Sequence, residues 1–236
     1  FPEHWFNTNV VSNVKLHNIL RKKSFLKRYV HISTPEVYGN CIGFVSEDQS
    51  FSPSTPYAVS RAATDLSLRT FFSAYDFPVV TTRAANVYGP GQQLYRIIPR
   101  TILFILLGKK LKLHGGGVST RSFIHMNDVS VATWDVMVNG KLGDTYHIST
   151  AEIISIRDLV EQICVKLDAD FNQHVEIVGE RLGKDSSYQL DRSKIERELN
   201  WKATVTLDQG LDETIKWVQE NLSVLEKQKF DYEHKI

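Results

Sequence analysis

The chain has 236 residues, with 28 basic and 27 acidic side chains and a formal net charge of +1. This near-neutral balance argues against nucleic acid and against an anionic membrane as partners. The two cysteines, Cys41 and Cys164, lie far apart and form no CxxC motif, which argues against a disulfide framework and a zinc site and favours the cytoplasm. The longest apolar run, around Ile102–Leu107, is too short to span a bilayer.

The first half of the chain alternates helical and strand patterns. Residues 4–23 predict an amphipathic helix, and residues 29–34 predict a short buried strand. Ser54 or Thr55 is the expected N-cap of a helix over 57–75, with a proline in its first turn. A second buried strand is predicted over 78–83, before a turn of glycine and proline.

The second half continues the alternation less regularly. Its apolar periodicity and turn residues predict helices over 98–107, 126–138, 156–167, 193–199 and 207–221, and strands over 145–149 and 175–178. The stretch 110–117 predicts a strand followed by a glycine turn. Alternating helices and apolar strands are typical of a parallel sheet with helices on its faces. Some segments of this half need another place to pack, which predicts a small lobe built from non-contiguous pieces.

Polar side chains follow the first predicted strand. Ser33 and Thr34 end that strand, and Glu36 follows in the loop. Tyr57 begins the next helix, and because ligands of open parallel sheets bind beyond the carboxyl ends of the strands, we expect these groups to face one cleft. A tyrosine acts as a general base only when its pKa falls from about 10 toward neutrality. Arg61, one helical turn after Tyr57, supplies a positive charge that favours the phenolate.

An ordered set of short motifs extends this pattern. The sequence YAVSR at 57–61 is similar to the YxxxK signature of the short-chain dehydrogenase/reductase superfamily, with arginine in place of lysine, and STPEVYG at 33–39 resembles the STDEVYG segment of the dTDP-glucose 4,6-dehydratases. Further segments that resemble this family, in the same order, are NVYGP at 86–90, TRSFIH at 120–125, RLGKD at 181–185 and the stretch 191–218. Each motif alone is weak, but the ordered set covers nearly the whole chain. The chain is therefore identified as a member of the NAD-dependent epimerase/dehydratase family within the extended short-chain dehydrogenases/reductases.

The resemblance implies an α/β fold with a Rossmann-like, doubly wound parallel sheet and a small α/β substrate-binding lobe. Residues 1–92 and 118–155 are expected to form the remainder of the NAD-binding domain, and residues 93–117 and 156–236 mainly the nucleotide-sugar lobe. The sequence contains no glycine-rich dinucleotide motif. We therefore expect the first βαβ unit of the family to be missing, so that one side of the sheet has an open edge.

The resemblance also implies roles in a dehydration that converts a nucleotide-diphosphate hexose into its 4-keto-6-deoxy product. Tyr57 would deprotonate the sugar 4-hydroxyl while NAD oxidises C4, Thr34 would hydrogen-bond that oxygen, and Glu36 would remove the C5 proton. The residues expected to contact NAD are Ser33, Tyr57 and Arg61. The residues expected to bind substrate are Asn86, Arg121 and Arg181, the two arginines at the diphosphate. This reaction would make the protein a lyase.

Two departures from the family pattern leave other functions open. Pro35 stands where the dehydratases carry the aspartate that protonates the departing hydroxyl, and proline has no proton to give. Nucleotide-sugar decarboxylases carry a small residue there, so decarboxylation or epimerisation after C4 oxidation is the alternative reaction. Arg61 keeps the charge of lysine but is larger and differs in geometry. With the missing glycine-rich motif, these changes also fit a different class of protein, an impaired or truncated homologue that acts by binding.

Two further expectations concern metals and assembly. The histidines His114 and His125 are not spaced as ligands on one element, and no metal site is expected. By analogy with the family, the helices over 4–23 and 57–75 are expected to form a four-helix bundle with a second copy, which makes a homodimer the expected state.

Overall fold

A computed structural model of the chain describes residues 1–41, 43–179 and 189–232. A π-helical segment, Asn7–Ser12, joins the first two α-helices, and 3-10 turns cover Pro35–Tyr38 and Gly115–Gly117. The α-helices are α1 (Pro2–Phe6), α2 (Asn13–Leu20), α3 (Pro56–Tyr75), α4 (Ile97–Leu106), α5 (Met126–Asn139), α6 (Ile156–Lys166), α7 (Phe171–His174), α8 (Ser193–Leu199), α9 (Leu207–Glu220) and α10 (Leu222–Leu225). The strands are β1 (Tyr29–Ile32), β2 (Phe44–Val45), β3 (Val79–Ala84), β4 (Asn86–Tyr88), β5 (Leu111–His114), β6 (Thr120–Arg121), β7 (Phe123–His125), β8 (Thr145–Ile148), β9 (Ile154–Ser155), β10 (Val175–Val178) and β11 (Gln189–Leu190).

The chain divides into two compact units, each assembled from three segments. The first unit comprises Phe1–Ala85, Asn127–Thr150 and Asp185–Ala203, and the second comprises Asn86–Met126, Ala151–Lys184 and Thr204–Ile236. The sequence-based boundaries at 92 and 118 differ from this division. Residues 185–203 also differ, because they return to the first unit, whereas the prediction placed 156–236 mainly in the nucleotide-sugar lobe. That return follows from β11, which pairs in parallel with β2. The assignment of NAD and of nucleotide sugar to separate portions stays a prediction.

The first unit is built on a parallel sheet of order β1-β3-β8. In its register Ile32 lies beside Thr82, and Thr82 lies beside Tyr146. Every residue of β3 except the last is buried, as expected for a central strand rich in β-branched residues. Within the described residues β1 pairs on one side only, and Ile32 is 63% exposed. The predicted α/β class is confirmed, and β1 is the sheet edge in the described part of the chain.

The predicted helix over 4–23 is interrupted at its centre. The π-helical segment separates α1 from α2, and polar side chains from the next turn satisfy its carbonyl groups. The Ser12 hydroxyl donates to the carbonyl of Asn7 at 2.9 Å, and the Asn13 amide donates to that of Thr8 at 3.1 Å. These side chains bond carbonyls five residues back, which is the spacing of the wider π-turn. Hydrophobic periodicity does not detect a local change from hydrogen bonds four residues apart to hydrogen bonds five residues apart.

The second unit has its own apolar core around α4, α6 and α9. Buried residues that these helices contribute include Ile98, Ile102, Leu103, Leu159, Ile163, Leu211 and Ile215. In α9 a side chain at Gly210 would meet the Tyr88 hydroxyl at 2.2 Å, so the absence of a Cβ atom lets the helix approach that ring. Strand pairs β4-β7 and β5-β10 are parallel, and β6-β9 is antiparallel.

Within 1–41, 43–179 and 189–232, every helix is too short or too polar to cross a bilayer.

Candidate active site

The turn after β1 carries two of the predicted site residues, Thr34 and Glu36. Thr34 is extended and caps the 3-10 turn, since its Oγ1 accepts a hydrogen bond from the Glu36 amide at 3.3 Å. Pro35 is buried at the first position of this turn, where its fixed φ angle suits the helix start. Gly39 ends the turn with φ of 66°, and a Cβ atom there would meet the Ser52 carbonyl oxygen at 2.1 Å. These contacts constrain the backbone conformation of the turn between Thr34 and Gly39.

Tyr57 lies in the first turn of α3. Thr55 is the N-cap of this helix, because its side chain accepts from the Ala58 amide at 3.1 Å. The half-buried Tyr57 ring meets the ring of Trp5 edge to face, with centroids 5.1 Å apart. The Ser60 hydroxyl donates to the Tyr57 carbonyl at 2.7 Å. Contacts from two elements thus hold the backbone and ring of Tyr57.

Arg61 brings α3 to the carboxyl end of β1. Its guanidinium donates to the carbonyl of Ile32, the last residue of that strand. Tyr57 and Arg61 are four residues apart on α3 and share one helix face. Ser33 directly follows Ile32, so Arg61 lies beside the turn that carries Thr34. The predicted residues of the first unit are therefore grouped at one end of β1.

A buried cluster under this turn was not predicted from the sequence. Asp65, four residues after Arg61 on the same helix, is 4% exposed, and Arg83 on β3 is 1% exposed. Arg83 donates to Oδ2 of Asp65 at 2.7 Å, and the Ser33 hydroxyl donates to the same oxygen at 2.7 Å. Nε2 of His31 lies 3.0 Å from Oδ1 of Asp65. Burial by itself would raise the pKa of Asp65, but the His31 hydrogen bond and the Arg83 charge outweigh it and lower that pKa.

The cluster continues from Arg83 through Tyr38 to His147. Arg83 donates to the Tyr38 hydroxyl oxygen at 2.5 Å, and that hydroxyl lies 2.7 Å from Nε2 of His147. Burial, with Arg83 nearby, lowers the pKa of His147 to about 3, and burial raises the pKa of Tyr38 to about 12. Both groups are therefore neutral at pH 7, and the Tyr38 hydroxyl donates to the His147 ring. The other ring nitrogen, Nδ1, donates to the Asp191 carbonyl at 3.2 Å.

Asn9, outside the buried cluster, was also not predicted from the sequence to support the site. It is buried inside the π-helical segment, and its side-chain amide donates to the Ser60 hydroxyl at 2.9 Å. The Thr64 hydroxyl donates to the Asn9 carbonyl. Ser60 in turn bonds the Tyr57 carbonyl, so Asn9 supports the first turn of α3. A π-turn often marks a functional position, but no sequence period signals it.

The second unit contains two predicted substrate-binding residues. The side-chain amide of Asn86, at the start of β4, donates to the Ser122 carbonyl at 3.1 Å. Arg121 directly precedes Ser122, and its guanidinium donates to the Thr120 carbonyl at 2.8 Å. The structure therefore brings Asn86 beside the segment that carries Arg121. The third predicted residue, Arg181, lies outside the described residues, and the roles of all three stay predictions.

Comparison with known proteins identifies relatives of the whole chain. A family model described as GDP-mannose 4,6 dehydratase matches residues 1–214. A dTDP-glucose 4,6-dehydratase of Shigella flexneri is 31% identical over 97% of this chain and 70% of its own length. The human dTDP-D-glucose 4,6-dehydratase is 32% identical, over 83% of this chain and 57% of its own.

Solved structures give the same result. The dTDP-glucose 4,6-dehydratase DesIV of Streptomyces venezuelae, crystallised with NAD, superposes with a TM-score of 0.88 and 35% identity, over 92% of this chain and 67% of its own. A UDP-glucuronic acid 4-epimerase of Bacillus cereus superposes with a TM-score of 0.82 and 27% identity, over 90% and 67%. The Rossmann-like fold and the resemblance expected from the motifs are confirmed. The chain belongs to the NAD-dependent epimerase/dehydratase family and is similar to its dTDP-glucose 4,6-dehydratases.

Proposed function

We propose that the protein is an NAD-dependent nucleotide-sugar 4,6-dehydratase that converts a nucleotide-diphosphate hexose into its 4-keto-6-deoxy form. The observation that carries the proposal is the grouping of Thr34, Glu36, Tyr57 and Arg61 at the carboxyl end of β1. Proteins similar to this chain in sequence and in fold are dTDP-glucose 4,6-dehydratases. The two reduced cysteines support our further proposal that it acts in the cytoplasm.

The residues at the end of β1 fit the nicotinamide side of NAD. The Nε atom of Arg61 is a buried donor without a hydrogen-bond partner in the described part of the chain, and a ribose hydroxyl would satisfy it. Ser33 and Tyr57 would complete this side of the site. The given sequence contains no glycine-rich motif for the pyrophosphate. The residues named here would therefore bind only the nicotinamide side of NAD. When bound, NAD supplies the oxidation at C4 and the later reduction at C6.

The chain's own residues would move the protons. Tyr57 would take the proton of the sugar 4-hydroxyl, and the fixed charge of Arg61 would favour its phenolate. Thr34 uses its oxygen to accept from the Glu36 amide, which leaves its hydroxyl hydrogen to donate to the sugar oxygen. The Glu36 carboxylate would remove the C5 proton. We propose that Asn86, Arg121 and Arg181 bind the nucleotide sugar.

Product analysis tests this function. The natural protein, with NAD added, is incubated with dTDP-glucose and then with UDP-glucose, and the product is identified by mass spectrometry. A 4-keto-6-deoxy sugar, lighter by one water, supports the proposal. Turnover of either substrate to other products alone would contradict it.

Pro35 favours an alternative reaction at the same site. Proline cannot protonate a leaving hydroxyl, which dehydration requires. Epimerisation or loss of CO2 after C4 oxidation expels no hydroxyl, so neither reaction needs an acid at residue 35. One solved relative is a UDP-glucuronic acid 4-epimerase. Incubation with UDP-glucuronic acid separates the reactions, because epimerisation keeps the mass and decarboxylation releases CO2.

Restoring the acid at residue 35 gives a sharper test. We expect Pro35→Asp to raise dehydration about tenfold, because an aspartic acid would protonate the departing hydroxyl, and an acidic residue suits the start of a helical turn. Pro35→Ala is the matched control, since it removes proline without adding an acid. The rate of 4-keto-6-deoxy product formation is measured for both. Equal rates in the two variants would show that dehydration does not use an acid at this position.

A binding protein without turnover is the candidate from a different class. Arg61 in place of lysine and Pro35 in place of the family's aspartate are the observations that favour it. The NAD content of the natural protein distinguishes it from an enzyme. NAD that copurifies, and is reduced when a nucleotide sugar is added, would exclude this candidate.

We also propose that the protein forms a homodimer through the outer faces of α2 and α3. Large apolar side chains are exposed there, including Leu16, Ile19, Val59 and Leu66, with Leu66 50% exposed. Several exposed large apolar side chains on two neighbouring helices are typical of a subunit interface. We expect Leu66→Asp to yield a monomer by light scattering, because a charge would be buried at the interface. Val165→Asp, at a position of α6 that is 79% exposed, is the control and should leave the mass unchanged; a monomeric wild-type protein would refute the proposal.

A further inference from the structure

We propose that Arg83 and Asp65 form a positioning clamp that holds both ends of the turn carrying Thr34 and Glu36, an inference that rests on the proposed function of that turn. Ser33, directly before the turn, donates to Oδ2 of Asp65 at 2.7 Å. Tyr38, at the end of the turn, accepts from Arg83 at 2.5 Å. The two clamp residues are themselves joined at 2.7 Å.

The sheet geometry explains why these groups meet. Side chains alternate along a strand, so His31 and Ser33 face the same side of β1 while Ile32 faces the other. The register pairs His31 with Thr81, which places Arg83 beside Ser33 on the neighbouring chain segment. Asp65 reaches this group from α3, eight residues after Tyr57 and therefore near the same face of the helix. One carboxylate thus connects the helix of the proposed base with the start of the catalytic turn.

Charge and burial make the clamp rigid. Ser33, Arg83 and His31 all direct donors at the Asp65 carboxylate. Charge-assisted hydrogen bonds of this kind are shorter and stronger than neutral ones. In a buried site they are not weakened by competition with water.

The far end of the turn has a second support. The Tyr38 hydroxyl accepts from Arg83 and donates to the neutral ring of His147, whose other nitrogen bonds the Asp191 carbonyl. The Tyr38 ring is 1% exposed and packs edge to face against the His147 ring. Both bonds of the hydroxyl are therefore used, which fixes the Tyr38 side chain in one orientation. Since Glu36 lies two residues before Tyr38, a shift of this anchor would move its carboxylate.

The expected consequence is a loss of catalytic rate with little loss of substrate binding. Tyr38→Phe removes the accepting oxygen but keeps the ring. We expect kcat to fall about tenfold and KM to stay within about twofold, because a misplaced catalytic group costs rate even when the substrate still binds. Tyr146→Phe is the matched control: Tyr146 is also 1% exposed in the first unit, but its hydroxyl bonds Glu198 and the Lys141 amide. It should leave kcat within about twofold of wild type.

Amide hydrogen exchange tests the clamp without any substrate. The Gly39 amide bonds the Glu36 carbonyl at 3.1 Å, and the Ser52 amide bonds the Val37 carbonyl at 2.9 Å, so both amides report opening of the turn. In the natural protein we expect Tyr38→Phe to speed their exchange about tenfold and Tyr146→Phe to leave it unchanged. Ser33→Ala opens the other end and should give the same result, which keeps the test available if Tyr38→Phe does not fold.

The two readouts separate the two proposals. Unchanged exchange at Gly39 and Ser52 in a folded variant would overturn the clamp. Faster exchange with unchanged kcat would overturn its positioning role. A wild-type protein inactive on every nucleotide sugar would refute the proposed function, while the exchange result would still decide whether the clamp holds the turn.

Discussion

Replacing Tyr57 with phenylalanine should reduce turnover of the nucleotide sugar about a thousandfold, the usual scale for loss of a general base. The substitution removes only the hydroxyl, so the edge-to-face contact with Trp5 and the hydrogen bond from Ser60 to the Tyr57 carbonyl persist. We therefore expect the fold to be retained. Steady-state kinetics should show the loss in kcat, with KM within about threefold, because substrate affinity does not depend on the proton transfer.

The matched control is Tyr75→Phe, at the other end of the same helix. Tyr75 is 51% exposed and stacks under the Arg21 guanidinium, so the loss of its hydroxyl should leave kcat unchanged. The amount of NAD bound to Tyr57→Phe is measured in parallel, so that loss of cofactor is not mistaken for loss of the base. Retention of more than about a tenth of the wild-type rate would show that Tyr57 is not the base.

Replacing Arg83 with methionine should lower the free energy of unfolding by about 3–5 kcal/mol, the usual cost of removing one partner of a buried ion pair. The side chains of Arg83 and Asp65 are 1% and 2% exposed, so water cannot compensate the remaining carboxylate. Urea denaturation at pH 7 measures the change. The double variant Arg83→Met with Asp65→Leu should cost less than the two single substitutions together, because it leaves no unpaired charge.

An exposed ion pair provides the control for this experiment. Arg100 lies 2.9 Å from Asp231, whose side chain is 82% exposed. Arg100→Met should cost under about 1 kcal/mol, since exposed pairs contribute little. An equal loss for Arg83→Met and Arg100→Met would contradict the importance assigned to the buried pair.

The sign of the pH dependence follows from the pKa of Asp65. Its folded-state pKa lies below the ordinary value, so the stability that this carboxylate contributes is present above its unfolded pKa of about 4 and is lost as pH falls through the folded value. Arg83→Met removes the part of that contribution that comes from the Arg83 charge and hydrogen bond, while the His31 hydrogen bond remains. The difference between the wild type and Arg83→Met should therefore be largest near neutral pH and should narrow in acid.

Local pattern was sufficient for most of the helices and strands. The helices over Pro56–Tyr75 and Leu207–Glu220 begin and end within two residues of the prediction, because caps and apolar periods act over one or two turns. Of the two predicted N-cap candidates, Ser54 and Thr55, the structure selects Thr55. The π-helical segment was not predicted, since hydrophobic periodicity does not distinguish one π-turn from the α-helix around it. The ordered motifs identified the family, which the comparisons confirm.

The candidate site also has one part that the sequence predicted and one part that it did not. The sequence by itself determined which chemical groups follow β1 and which open α3, because these groups are neighbours along the chain or one helical turn apart. It did not reveal that Asp65 and Arg83 are paired. In the sequence, Asp65 looks like a solvated carboxylate on a helix, and Arg83 is an unusual charge in a buried strand.

Only the tertiary structure decided that pairing. It depends on the parallel register between β1 and β3, and on the position of α3, whose Asp65 reaches His31 of β1 and Arg83 of β3. A buried charge is tolerated only when its partner is in place, and here the partners come from three separate elements. The sequence therefore determined the reactive groups of this protein, and the tertiary structure decided which buried charges hold them in position.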